Sequence, residues 1–141
     1  MTDLQKMKYF IGFIALLLSS CHSDEARYYY DKGNEAFILQ DYSTSLECLT
    51  KAIRLKPNYA EAFYTRANAY YSVGNCSKAI IDYSSAIRYN PKYAISYRFR
   101  GVVKMNIGDT LGALEDWQTA IGLGDNRAKH YLSTYRKHHT E

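Results

Sequence analysis

Residues 60–91 read AEAFYTRANAYYSVGNCSKAIIDYSSAIRYNP, and this stretch decides the architecture because it recurs. Shifted by 34 residues in either direction it meets its own pattern again: Gly33, Ala67 and Gly101; Tyr29, Phe63 and Tyr97; Ala52, Ala86 and Ala120. The only two prolines, Pro57 and Pro91, are also 34 residues apart. Within each period one amphipathic stretch breaks at a turn and a second follows. The turns are Gln40-Asp41, Gly74-Asn75 and Gly108-Asp109. Glycine there tolerates left-handed backbone, and the Asp or Asn after it can cap the next helix. Between periods lie Lys56-Pro57-Asn58 and Asn90-Pro91-Lys92, which end one helix and begin the next. Links this short permit only antiparallel neighbours. The expected fold is all-α, with three helical hairpins over 26–59, 60–93 and 94–127. One hairpin cannot bury its apolar face alone. Stacked copies bury a continuous core and leave a long curved surface suited to binding other proteins.

About eight positions recur in phase, and over about 26–127 they resemble the tetratricopeptide repeat family. The second copy carries that family's aromatic at Phe63, small residue at Ala67 and aromatic at Tyr70, then Ala79, Tyr83, Ala86 and Pro91. The first copy departs at Ser45 and Leu49, where the family prefers alanine and an aromatic. The third departs at Lys104 and at Asp125, which stands in the proline position, while Trp117 restores the aromatic. The resemblance implies a right-handed superhelical array of three hairpins. Residues 128–137 (AKHYLSTYRK) follow in phase, with Tyr131, Leu132 and Tyr135 at helical spacing. They are expected to form a capping helix over the open end of the third hairpin. Residues 138–141 form a tail.

In this family the first helix of each repeat lines a concave groove. Carried over by position, the groove comprises Tyr30, Asn34 and Phe37 from the first repeat, Tyr64, Asn68 and Tyr71 from the second, and Arg98, Val102 and Met105 from the third. Arg27, Ile38, Glu61, Thr65, Ser72, Ile95 and Asn106 lie beside them. The asparagines would offer amide donors and acceptors to a peptide backbone. The tyrosines would offer rigid contact with a polar tip, and Arg98 would pair with a carboxylate. Tyr29, Tyr70, Tyr83 and Tyr97 fall at packing positions instead. Some members of the family clamp the C-terminal carboxylate of chaperones with two lysines, two asparagines and an arginine. The matching positions here are Tyr30, Asn34, Thr65, Ile95 and Phe99. Only Asn34 fits, so a clamp of that kind is not expected.

The first residues form their own unit. Lys6 and Lys8 precede an apolar run of 10 residues, Tyr9 to Leu18 (YFIGFIALLL), then Ser19, Ser20 and Cys21. The run is short of the ~20 residues that span a bilayer, and it suits the apolar region of a signal peptide. LSSC at 18–21 resembles the lipobox of bacterial lipoproteins, in which the cysteine is acylated and becomes the first residue after cleavage. The resemblance implies a signal peptide over 1–20, lipidation (palmitate among the acyl chains) at Cys21, a short polar tether over 21–25 and a place in the bacterial cell envelope, the leaflet left open. Asp24 and Glu25 read either as a surface-export signal or as acidic residues favouring a helix N-terminus. Cys48 and Cys76 are either a disulfide pair or small fillers.

The chain of 141 residues carries 18 Lys+Arg against 14 Asp+Glu, a mild +4 with mixed signs and no basic stripe for nucleic acid. His22, His130, His138 and His139 have neither triad nor metal spacing. The glycines mark turns and close contacts, not a phosphate cradle. Asp82, Glu115 and Asp116 are expected on outer helices in solvent. Neither catalysis nor a cofactor is expected. The reading is a lipid-anchored scaffold that binds a peptide or helix of a partner protein in its groove. The alternative is a structural envelope component that self-associates through repeat edges.

Overall fold

The computed structural model describes residues 2–139, with the side chains of 12–22, 138 and 139 outside that description. Seven helices follow one another among the described residues: α1 (Asp3–Ile38), α2 (Tyr42–Leu55), α3 (Ala60–Ser72), α4 (Cys76–Tyr89), α5 (Ala94–Asn106), α6 (Thr110–Gly122) and α7 (Ala128–His139). They pair as α1·α2, α3·α4 and α5·α6, each pair packs on the next, and α7 packs on α6. The helical backbone of α1 runs without a break through the stretch read as apolar run and tether.

The three turns are built alike. Gln40, Gly74 and Gly108 adopt φ of 61°, 82° and 87°. The side chains of Asp41, Asn75 and Asp109 then accept hydrogen bonds from the backbone N–H groups of Thr44, Lys78 and Gly112 at 3.1, 3.1 and 3.0 Å. Lys56 and Asn90, the residues before proline, are extended at φ of −132° and −137°, as the proline ring requires of its predecessor. The third link differs. Gly124, in register with Lys56 and Asn90, turns through φ 96°, and the Asp125 N–H closes on the Ala120 carbonyl at 2.9 Å.

Small residues set the helix separation. Ala52, Ala67, Ala79, Ala86, Ala113 and Ala120 are fully buried. A Cβ added to Gly33 would lie 2.8 Å from Leu49 Cγ, and one on Gly101 would lie 2.6 Å from Trp117 Nε1. Leu49, Tyr83 and Trp117 fill the space between helices, one in each of three apolar clusters. Cys48 and Cys76 are unbonded, the first buried in α2 and the second half-buried at the start of α4.

The acidic residues expected in solvent divide. Glu115 is exposed, whereas Asp82 and Asp116 are buried. Asp82 takes both arms of Arg66 at 2.7 and 2.9 Å, and Arg66 Nη1 donates to Thr50 at 3.1 Å. Thirty-four residues on, Arg100 binds Asp116 at 2.9 and 2.7 Å and donates to Ser84 at 2.9 Å. Lys104 adds a third cationic contact, 3.0 Å from Asp116. Each arginine thus joins both helices of its own hairpin to the second helix of the one before. The physical reason is the charge-assisted bidentate pair, which places a carboxylate inside the array by satisfying its oxygens there.

The capping helix is not seated as the first helix of a fourth hairpin. In register, Ser133 and Lys137 take the places of Phe99, which stacks on Tyr83 at 6.4 Å and 11°, and Val103, which is fully buried. Ser133 and Lys137 are exposed. The apolar side of α7 turns onto α6 instead, with Ala128 buried and Tyr131 stacked on Trp117 at 5.4 Å and 24°. Two polar residues at the contact positions, together with the left-handed Gly124, account for the change.

Candidate functional site

The first helices of the hairpins bring Phe37, Tyr64, Asn68 and Tyr71 into one cleft of about 280 Å³, completed by Ser72 and Phe99. Tyr64 is its aromatic centre, with ring centroids 6.0 Å from Tyr83, 5.4 Å from Tyr93 and 6.0 Å from Phe99. Burial pushes the Tyr64 phenol above its ordinary range, while a hydrogen bond with Asn68 pulls the other way. Burial also raises Tyr83 and Tyr93. These hydroxyls are neutral at physiological pH and act as polar tips on an apolar wall.

The amides are partly spent inside the protein. The Asn68 side-chain oxygen accepts from the Tyr83 hydroxyl, and Asn106 donates to the Tyr71 hydroxyl. Asn68 therefore fixes the floor of the cleft as well as facing it, which its position in the repeat alone does not show.

The remaining groove residues are placed elsewhere. Tyr30 is half-buried with its ring 5.0 Å from Tyr59, and Asn34 is half-buried outside the cleft lining. Val102 and Met105 pack in the last apolar cluster around Trp117. Met105 also borders a second apolar cleft of about 420 Å³ against Trp117, His130, Tyr131, Thr134 and Tyr135. Arg98 is buried; its guanidinium binds Asp125 at 2.6 Å and lies 4.4 Å from the Phe99 ring centre. Its carboxylate partner is thus internal, in the link that departs from proline. Thr65 is buried too. The side chain of Cys21 lies outside the described residues.

Phe99 is the lining residue that position counting missed, because the family comparison treats its place as the seat of a clamp cation. The available signal was local: an aromatic one turn before Val102 on the same helix. Among the described residues no group of three or more His, Cys, Asp or Glu side chains is arranged to hold a metal.

Family profiles described as TPR repeat and tetratricopeptide repeat match residues 33–74 and 60–93. No curated protein sequence matches the chain. Solved structures do. The chain resembles the first TPR of Spaghetti (RPAP3) bound to HSP90 peptide SRMEEVD, at 24% identity and a TM-score of 0.79 over 84% of this chain and 96% of that one. It resembles the Sgt2 TPR domain from Aspergillus fumigatus at 26% identity and a TM-score of 0.75, over 80% and 78% of the two chains. It resembles the second TPR of Spaghetti (RPAP3), also bound to that HSP90 peptide, at 25% identity and a TM-score of 0.72, over 75% and 97%. Recurring small residues, their aromatic partners and the course shared with the solved structures agree with the profile matches: residues 33–93 of this chain carry tetratricopeptide repeats.

Proposed function

We propose that the protein is a membrane-tethered interaction module whose concave cleft receives a segment of a partner protein. The cleft of Phe37, Tyr64, Asn68, Tyr71, Ser72 and Phe99 carries the reading. It is concave, aromatic and neutral, with a few fixed hydroxyl and amide groups, which is the make-up of a recognition pocket. A peptide bound to the second TPR of Spaghetti supports the mode of use. The chemistry differs from a carboxylate clamp. Arg98, the groove's candidate carboxylate partner, is neutralised internally by Asp125, and Tyr30, Ile95 and Phe99 place no cation at the clamp positions. The partner segment would insert an apolar side chain and bond its backbone to the cleft rim.

Tethering rests on the lipobox pattern that ends at Cys21. Leu4, Met7, Tyr9, Phe10 and Ile11 are exposed on the first third of α1; they lie in the segment that this reading removes on cleavage, and their apolar character suits a signal peptide that the membrane receives first. Among the described residues no helix is long and apolar enough to cross a membrane. A lipid-anchored site in a bacterial envelope follows from this reading.

Two experiments test it. Full-length protein and its Phe37→Ser/Tyr71→Ser variant are used as bait in detergent-solubilised native membranes. These residues are chosen because they border the cleft and the Tyr83 hydroxyl bonds Asn68 instead. A protein partner lost with the variant at unchanged melting temperature is expected; equal capture by both would overturn the groove. Detergent phase partitioning and intact mass of Cys21→Ala test the anchor, which falls if the variant is processed and partitions as the wild type does.

A further inference from the structure

The turned seating of α7 opens a cleft of about 360 Å³ on the flank away from Trp117, lined by Ile121, Lys129, Leu132, Ser133, Arg136 and Lys137. Its floor is aliphatic and its rim is cationic. Lys129, Arg136 and Lys137 are exposed, and Leu132 and Ile121 are half-buried between them. The sequence concentrates charge here. Residues 127–139 hold four Lys+Arg and no acidic residue, whereas the preceding chain holds 14 Lys+Arg and 13 Asp+Glu. The nearest acid at the base of the helix, Asp125, is tied to Arg98 at 2.6 Å and half-buried. Three of these cations, Lys129, Arg136 and Lys137, stand on α7 around the cleft.

We infer that this cleft is a second docking site, for an acidic segment of a partner protein that carries an apolar side chain among its Asp or Glu residues. Complementary charge on a rim steers encounter and selects the partner, while the apolar floor gives the segment a fixed register. A membrane surface fits less well. Surface helices embed exposed apolar side chains, whereas Tyr131 and Tyr135 are half-buried against the array and Leu132 is half-buried in the cleft. The site is separate from the aromatic cleft in both lining and charge, and it does not depend on that cleft being a binding groove.

The test selects a random dodecapeptide phage library on immobilised full-length protein in non-ionic detergent. It compares the wild type, Lys129→Glu/Arg136→Glu/Lys137→Glu, and Phe37→Ser/Tyr71→Ser. The wild type should enrich peptides with Asp or Glu around an apolar residue. A selected peptide, remade with a fluorescent label, should lose roughly tenfold or more in affinity for the charge-reversal variant or on raising salt from low to several hundred millimolar. It should keep its affinity for the Phe37/Tyr71 variant. If charge reversal lowers the melting temperature, Lys129→Gln/Lys137→Gln replaces it, and the same loss in smaller measure is expected. Absence of acidic enrichment overturns the inference, as does acidic enrichment lost only with Phe37→Ser/Tyr71→Ser. Neutral peptides sensitive to Phe37 and Tyr71 alone would leave the aromatic groove standing and remove this site. Flotation with anionic but not zwitterionic vesicles, abolished by charge reversal and without acidic peptide binding, would assign the cluster to a membrane surface and overturn it too.

Discussion

Gly101→Ala adds one methyl group at the tightest contact between α5 and α6. The new Cβ would lie 2.6 Å from Trp117 Nε1, 2.8 Å from Cδ1 and 3.1 Å from the Ala113 carbonyl oxygen. Non-bonded carbon atoms settle at about 3.5–4.0 Å, so the indole or the helix must give by about 1 Å. The backbone oxygen blocks one direction, and moving the ring draws its N–H from the Arg98 carbonyl, to which it donates at 3.2 Å. Overpacking costs about 1–3 kcal/mol, and the strained hydrogen bond about 1 kcal/mol more. Alanine returns about 0.5–1 kcal/mol of helix propensity. The net loss is about 1–3 kcal/mol. For an array of this size that corresponds to a fall in melting temperature of roughly 5–15 °C. Circular dichroism reads the melt, and Trp117, the sole tryptophan, reports the displacement through its emission. Gly122→Ala is the control: a Cβ there meets nothing within 4 Å, so it should stabilise by about 0.5–1 kcal/mol. A Gly101→Ala protein that melts at or above the wild type with unchanged emission would refute the close contact and with it the register of the hairpins.

Asp116→Ala leaves Arg100 and Lys104 without their shared carboxylate; because both keep 17% side-chain exposure, the expected cost is about 2–4 kcal/mol in urea titration, below the full penalty for a buried unpaired charge. Arg100→Met/Lys104→Met/Asp116→Leu should recover most of that loss, since it removes all three charges together. Ser45→Ala should stabilise by about 1 kcal/mol: the Ser45 hydroxyl is buried with no hydrogen-bond partner among the described residues, and its repeat equivalents Ala79 and Ala113 need none. High pH should unfold the array through its tyrosines. Burial raises Tyr64 and Tyr83 above the ordinary value of 10.0, so their contribution is complete below pH ~10. It falls as the unfolded phenols ionise, by up to about 1.4 kcal/mol per pH unit for Tyr83. Ultraviolet titration of tyrosinate should show a slow-ionising fraction released on unfolding, and Tyr83→Phe should flatten the fall.

The hairpins were legible because the 34-residue period fixes which residues are small, which are aromatic and where the turns fall, and these needs are local to each contact. Asp41, Asn75 and Asp109 cap as their place after the turn requires. Four of the nine expected groove positions, Phe37, Tyr64, Asn68 and Tyr71, line one cleft because equivalent positions of stacked helices share a face. Phe99 was not legible, since its role depends on stacking with Tyr83 across the hairpin boundary. The seating of α7 also lay beyond the period. Phase placed the helix in sequence, but Ser133, Lys137 and Gly124 change the face it presents.

Charge was the least legible part, for a reason that connects the two candidate sites. Sequence position places Arg98 in a groove and Asp82 and Asp116 on outer helices, yet it does not say which charges find each other. Arg98 with Asp125, Arg66 with Asp82 and Arg100 with Asp116 all close internally at 2.6–2.7 Å between their nearest atoms. These pairings close those charges inside the array, and no charged side chain lines the aromatic cleft. α7 carries Lys129, Arg136 and Lys137 with no acidic residue of its own. A neutral aromatic pocket and a cationic terminal cleft select different side chains. A single partner occupying both would need an apolar anchor at one end and acidic residues at the other; two partners would bind independently. Peptides selected on each variant separate these cases. One sequence class sensitive to both sets of substitutions means a continuous ligand, and two classes with separate sensitivities mean two clients on one scaffold.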